Sequence, residues 1–132
     1  MEEEIILVDT DELINLSWDK SNKLAKYLKL QAGGKVKLVI SSITIYEYYS
    51  GVILENNENR EKADYLFSRF YKQPVTEEIA KLASALNRSG RLHEKIGLGD
   101  LLIGATALYL GGKLLTSNKK HFKLIPDLVF AK

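Results

Sequence analysis

At 132 residues and 14.9 kDa the chain has the length of one ordinary domain, which buries roughly two thirds of the surface its unfolded form exposes. Hydrophobic residues at 45% and charged residues at 27% exclude a disordered or fibrous class, and the lack of cysteine excludes disulfides, thiolate metal ligands and a cysteine nucleophile. A net charge of +2 and a pI near 8.7 are compatible with a nucleic-acid partner without establishing one.

Met1 to Glu4 is acidic and runs straight into apolar residues, the reverse of a signal peptide's basic start. The longest apolar stretch, Leu101 to Leu110, is short of the ~20 residues that span a bilayer. A cytoplasmic protein with no membrane contact is the expectation. Ile5 to Val8 is an unbroken aliphatic run of the kind that forms a buried parallel strand, closed by Asp9. A short helix follows from Asp11 to Leu16. A second runs from Trp18 to about Ala32, with Trp18, Leu24, Tyr27, Leu28 and Leu30 as its apolar stripe, and Gly33-Gly34 stops it.

Val36 to Ile40 reads as the second strand, and Ser41-Ser42 offers caps for a helix from Ile43 to about Leu54. On this helix Glu47 stacks with Ile43, Gly51 and Leu54, a stripe with no basic residue at helical neighbour spacing. A carboxylate so placed is costly unless something neutralises it. A further amphipathic helix is predicted from about Glu58 to Tyr71, then a short strand or turn at Pro74-Val75. Thr76 caps a helix reaching Asn87, and Arg88 to Gly99 reads as a loop. Asp100 begins a helix that is apolar nearly all round from Leu101 to Leu110, a pattern that belongs in the middle of a domain. Lys113 to Thr116 is the next strand, Asn118 to Phe122 a helical turn, and Leu128 to Ala131 a last strand after the Pro126-Asp127 turn. No repeat or linker divides the chain, so residues 1–132 are expected to form one domain.

Strands separated by helices imply an α/β fold, a three-layer α/β/α sandwich around a mainly parallel sheet with right-handed crossovers. In such a sheet ligands gather outside the carboxyl ends of the strands. Asp9 ends strand one. Glu47 lies within about 8 Å of that edge at 1.5 Å of rise per residue. Asp100 starts the helix preceding strand four and therefore returns to the same edge, where Ser117 and Asn118 also fall. Like charges brought together there either hold their protons or are neutralised by a divalent cation. His93 and His121 are too far apart for a local ligand pair, so oxygen donors dominate and favour Mg²⁺ or Mn²⁺. A cation in an acidic cleft has the equipment for phosphodiester hydrolysis, with water attacking in line to leave a 5′-phosphate and a 3′-hydroxyl.

At these residues the sequence resembles the PIN domains, and within them the VapC-like toxins of type II toxin–antitoxin systems. The matching stretches are Leu7 to Ile14, Ser42 to Gly51, Gly99 to Ala107 and Leu114 to Phe122, in order and spacing over essentially the whole chain. The resemblance implies a metal-dependent endoribonuclease, an RNA substrate, a homodimer and inhibition by a small antitoxin protein. By position, Asp9, Glu47 and Asp100 match the family's acidic metal-binding residues, and Asn118 matches a site position that is Asp or Asn. Thr116 and Ser117 match small hydroxylic residues shaping the cleft floor. Two departures stand out: Asp11 occupies a position that often carries Ser, Thr or Asn, and Leu98 falls where many members have a further acid. They imply a metal site poorer at Leu98 and compensated at Asp11. Lys119 and Lys120, with Lys113, Arg88 and Arg91, are candidates for holding RNA phosphates. The tyrosines at 46, 48 and 49 are assigned to packing and a protein interface.

Blander readings compete. Asp9 and Asp100 could serve only as helix N-caps, Asn118 could simply cap the turn to Phe122, and surface charge is the default for each lysine. A haloacid-dehalogenase-type phosphatase is suggested by Asp9-Thr10-Asp11, but after Asn118 only Asp127 remains as an acid, which leaves no room for the downstream lysine and acidic pair. The alternative function is a PIN-like module with an impaired site that binds RNA or a protein partner without cleavage.

Overall fold

The computed structural model describes residues 3–17, 22–51, 55–89 and 96–132. Trp18, Leu54, Arg91 and His93, singled out from the sequence, lie outside these. In chain order the elements are β1 (Glu4–Val8), α1 (Thr10–Ser17), α2 (Asn22–Ala32), β2 (Val36–Ser41), α3 (Ser42–Tyr49), α4 (Asn57–Phe67), β3 (Tyr71–Gln73), α5 (Glu77–Arg88), α6 (Leu98–Leu110), β4 (Lys113–Leu115), α7 (Lys119–Phe122) and β5 (Val129–Phe130).

The strands form one sheet in the order β3-β2-β1-β4-β5, and every neighbouring pair is parallel. The aliphatic run expected of β1 therefore occupies the centre, with Ile6 opposite Leu38 on one side and Leu7 opposite Leu114 on the other. The chain moves outward from β1 through β2 to β3, then returns past β1 to β4 and β5. Strand order thus reverses between β1 and β4, and the carboxyl ends of these two strands flank the crevice where α/β sheets bind ligands.

Alternation along the strands divides the core into two faces. Ile6, Val8, Leu38, Ile40 and Leu115 pack with Leu13 of α1, Leu24 and Tyr27 of α2, and Phe67 of α4. Leu7, Val39 and Leu114 pack instead on Ile103 and Ala107 of α6, with Phe122 and Ile125. The outer side of α6 meets α5 through Leu101, Ala105, Ile79 and Ala83. Enclosure between the sheet and α5 explains why α6 is apolar around nearly its whole circumference, and the three-layer sandwich follows.

Several boundaries differ from the sequence reading. Helix α3 ends at Tyr49, capped by Ser50, short of the expected Leu54. Helix α4 ends at Phe67, capped by Ser68, and the residues expected to finish it lead into β3, so the edge strand lies at Tyr71–Gln73 and not at Pro74-Val75. Proline has no N–H to give to a ladder, which confines it to the position after the strand. Helix α6 starts at Leu98 behind Gly97, which makes Asp100 a first-turn residue and shortens the expected Arg88–Gly99 loop; the N-cap reading of Asp100 is thereby excluded. Helix α1 begins at Thr10, directly after Asp9.

At the junction of α6 and β4, Gly111 takes φ +65°, the left-handed region that ends helices at glycine. Gly112 passes so close to β1 that an added Cβ would sit 2.8 Å from the Ile5 carbonyl oxygen and 2.9 Å from Ile5 Cγ2. Gly112→Ala is expected to lower unfolding free energy by roughly 1–3 kcal/mol, because backbone on the central strand must move to admit the methyl. Urea denaturation checks this, and an unchanged midpoint would contradict the close approach.

Candidate active site

Asp9 occupies the first position beyond β1, and its place is fixed by a backbone bond that extends the β1–β4 ladder, Asp9 N to Leu115 O at 2.9 Å. Its carboxyl is buried at 4% exposure, between two donors: the Thr10 backbone N–H on Oδ1 at 2.8 Å and the Thr116 hydroxyl on Oδ2 at 2.8 Å. Thr116 Oγ1 in turn accepts the Asn118 N–H at 2.9 Å, which turns its proton toward Asp9. Thr116 is itself buried, with its hydroxyl bonded to Asp9.

Glu47 projects from α3, whose start is fixed by Ser41 accepting the Ile43 N–H. The partner that the sequence did not supply locally comes from α1. Thr10 donates its hydroxyl to Glu47 Oε1 at 2.6 Å and lies 3.2 Å from the hydroxyl of Thr44. Glu47 also abuts the start of α6, since a Cβ at Gly99 would stand 3.0 Å from Glu47 Oε2. Glycine at that position is what lets the α3 carboxylate lie against the turn carrying Asp100.

Asp100 is half-buried, with His121 Nδ1 3.7 Å from its Oδ2 and the same ring nitrogen 3.0 Å from Asn118 Nδ2. Asn118 occupies the N-cap position of α7 without a side-chain capping bond, so the capping explanation of this residue falls away. Asp11 is exposed on the first turn of α1, and Leu98 points outward at 72% exposure. Lys119 and Lys120 are exposed on α7. Ser117 is exposed as a residue, but its hydroxyl is hydrogen-bonded to Glu12.

The electrostatics report on how near these acids are. Asp9 is pushed up to about 7, first by burial and then by the charges of Asp11 and Asp100, while the Thr116 and Thr10 hydrogen bonds oppose the rise. Asp100 is also raised by burial, with Asp11 adding to the shift and His121 resisting it. Asp9, Asp11 and Asp100 thus lie within one another's fields, and Glu47 reaches both the neighbour of Asp9 and the neighbour of Asp100. Among the described residues no lysine or arginine pairs with any of the four. Nor are three acidic or histidine side chains among them already gathered as a metal cage; the carboxylates line a rim, tied to hydroxyls. The donor chemistry fits a hard divalent cation: all oxygen, no thiol, and two carboxyls whose pKa values are raised by burial and by neighbouring acids.

Sequence reasoning passed over three residues that organise this rim. Thr10 is a buried hydroxyl that donates to Glu47, Thr44 is a buried hydroxyl bonded to Thr10, and Glu12 is a buried carboxyl on α1. Glu12 was detectable by the argument used for Glu47, since it is a carboxylate one helical turn from Leu16 and beside Leu13 on a short amphipathic helix.

The PIN domain family model matches residues 6–128. The chain is 34% identical over 125 residues to Ribonuclease VapC10 of Mycobacterium tuberculosis, covering 94% of this chain and 90% of that protein. It is 37% identical over 95 residues to Ribonuclease VapC1 of Rickettsia felis, covering 67% and 71%. Among solved structures, VapBC2 from Rickettsia felis bound to a promoter DNA fragment superposes with a TM-score of 0.81 at 25% identity, covering 96% of this chain and 97% of that one. VapBC-1 from nontypeable Haemophilus influenzae gives 0.78 at 27% identity, covering 97% of each. The chain therefore belongs to the PIN-domain family, in the company of the VapC proteins.

The Asp9 shift has a consequence for stability. Between its ordinary value of 3.8 and about 7 the folded chain keeps a proton that the unfolded chain releases, so the contribution of Asp9 to stability declines as pH climbs through that window. Asp9→Asn removes the ionisation, so in chelator the variant is expected to melt above the parent at about pH 8, with the difference vanishing near about pH 4. A difference independent of pH would contradict the buried, uncompensated carboxyl.

Proposed function

We propose that this chain is a divalent-metal-dependent endoribonuclease, folded as one domain over residues 1–132 and acting in the cytoplasm as the toxin of a toxin–antitoxin pair. The observation that carries the reading is the set of carboxylates at the carboxyl edge of β1 and β4, two of them raised in pKa and none paired with lysine or arginine among the described residues. The names of the VapC ribonucleases support the RNA substrate, and the VapBC complexes support an antitoxin partner. Among the described residues no helix is long and apolar enough to cross a membrane. A homodimer is the assembly the family resemblance implies.

In this reading Asp9, Glu47 and Asp100, helped by Asp11, would hold one or two Mg²⁺ or Mn²⁺ ions. Such an ion, when bound, supplies charge neutralisation at the scissile phosphate and acidifies water. The protein's own part is preorganisation. Thr116 and the Thr10 N–H aim the two oxygens of Asp9, and the Thr10 hydroxyl holds Glu47. Asn118 stands at the mouth of the crevice, and Lys119 and Lys120 beside it offer positive charge to the RNA backbone. Hydrolysis in line leaves a 5′-phosphate and a 3′-hydroxyl.

A second reading, an RNA- or protein-binding module that does not cut, is favoured by the outward-pointing Leu98 in place of a further acid. Cleavage separates the two. Purified protein with Mn²⁺ or Mg²⁺ is expected to cut RNA, with activity abolished by chelator, and Asp100→Asn is expected to lower the rate by at least about 100-fold. Sequencing of RNA ends provides the readout; identical ends from the parent and Asp100→Asn would overturn the assignment. The Lys119→Ala/Lys120→Ala pair is expected to raise KM and to reduce the slope of log affinity against log salt by roughly one per lysine. An unchanged salt slope would remove these lysines from the RNA path.

A further inference from the structure

We propose that Glu12 is a positioning residue of this site, acting through Ser117 to fix the turn that holds Thr116 and Asn118. The inference rests on the nuclease reading for its kinetic consequence, but its geometry does not.

Glu12 is 1% exposed, one of the most buried side chains in the molecule, although it is a carboxylate in the first turn of a short helix. Leu13 and Leu16 supply α1's contacts with the core, and an apolar side chain of similar size at position 12 would avoid the desolvation that a buried carboxyl incurs. The carboxylate makes a hydrogen bond across the crevice. The Ser117 hydroxyl donates to Glu12 Oε1, so α1, which follows β1, is tied to the turn that follows β4. The backbone of Glu12 is held as well, its N–H donating to the Asp9 carbonyl at 3.1 Å. Glu12 thus joins Asp9, just beyond β1, to the residue between Thr116 and Asn118.

The flanking bonds show what this link controls. Asn118 N–H donates to Thr116 Oγ1, and Thr116 donates to Asp9 Oδ2. That relay depends on the backbone direction of three successive residues, and Ser117 is the middle one. Freed from Glu12, the turn could rotate and carry the Thr116 hydroxyl away from Asp9, leaving a central carboxyl misaimed. Loss of aim at this scale is a recognised way to lose rate without losing substrate affinity.

Glu12→Leu, Glu12→Gln, Ser117→Ala and the Glu12→Leu/Ser117→Ala double variant test the proposal by two readouts. Amide hydrogen exchange at Asn118 reports the turn in chelator, and single-turnover RNA cleavage with Mn²⁺ reports the rate. Ser117→Ala and Glu12→Leu are expected to speed Asn118 exchange at least about tenfold over core amides. They are expected to lower kcat roughly 10- to 100-fold with KM nearly unchanged. Glu12→Gln, which keeps an acceptor for Ser117, restores exchange and kcat to within about threefold, and the double variant is no worse than the more impaired single. Because Ser117 is exposed, Ser117→Ala decides the matter even if Glu12→Leu fails to fold. Unchanged Asn118 protection in Ser117→Ala, a rise in KM with kcat intact, or losses that multiply in the double variant would overturn the proposal. Absence of RNA cleavage by the parent would instead overturn the nuclease reading, while the exchange result would still decide the role of Glu12.

Discussion

A carboxyl group buried at the end of the central strand, short of positive charge, is the constraint around which the rest of this protein is arranged. Asp9 cannot move away from it, because the β1–β4 ladder continues through its own backbone N–H. Nor is the cost met by an ion pair. Two hydrogen bonds from neutral donors, Thr10 and Thr116, stabilise the ionised form, and they are outweighed by burial together with the fields of Asp11 and Asp100. The site therefore retains an appetite for positive charge that the chain itself leaves unsatisfied, which is the physical content of the proposed metal dependence.

The fold supplies the convergence, and hydroxyl groups supply the aim. An all-parallel sheet brings the ends of β1 and β4 to one edge and returns the start of α6 there, so acids separated by scores of residues meet without any local motif joining them. Thr10, Thr116 and Ser117 then orient carboxylates without neutralising them, since a hydroxyl donates a hydrogen bond and leaves the net charge in place. A rim of carboxylates held by neutral donors, with no lysine or arginine paired to them among the described residues, is costly to the fold. Stability given up at a functional site in this way is a common compromise in enzymes.

Much of this was legible in the sequence, for identifiable reasons. The β1 and β2 runs are unbroken because both of their faces are covered, and α6 is apolar all round because it lies between the sheet and α5. Glu47 stood out through the lack of a local base, and its partner Thr10 was invisible because it lies 37 residues away on another helix. β3 was misplaced because a three-residue edge strand with exposed Tyr71 and Lys72 has no apolar period to detect. The start of α6 was set too late because Gly97 gives no side-chain cap to recognise. Sequence position reports the edge that Thr116 occupies, but not that its hydroxyl turns back to Asp9.

The most direct test of the central claim is calorimetric titration of Mn²⁺ at about pH 6.5 in buffers of different ionisation enthalpy, comparing the parent with Asp9→Asn. A carboxyl raised to about 7 must give up its proton when it takes a cation, so the parent should bind Mn²⁺ with measurable proton release and the variant should bind more weakly with less. Binding of equal strength in both proteins, without proton release, would show that Asp9 is not where the cation goes.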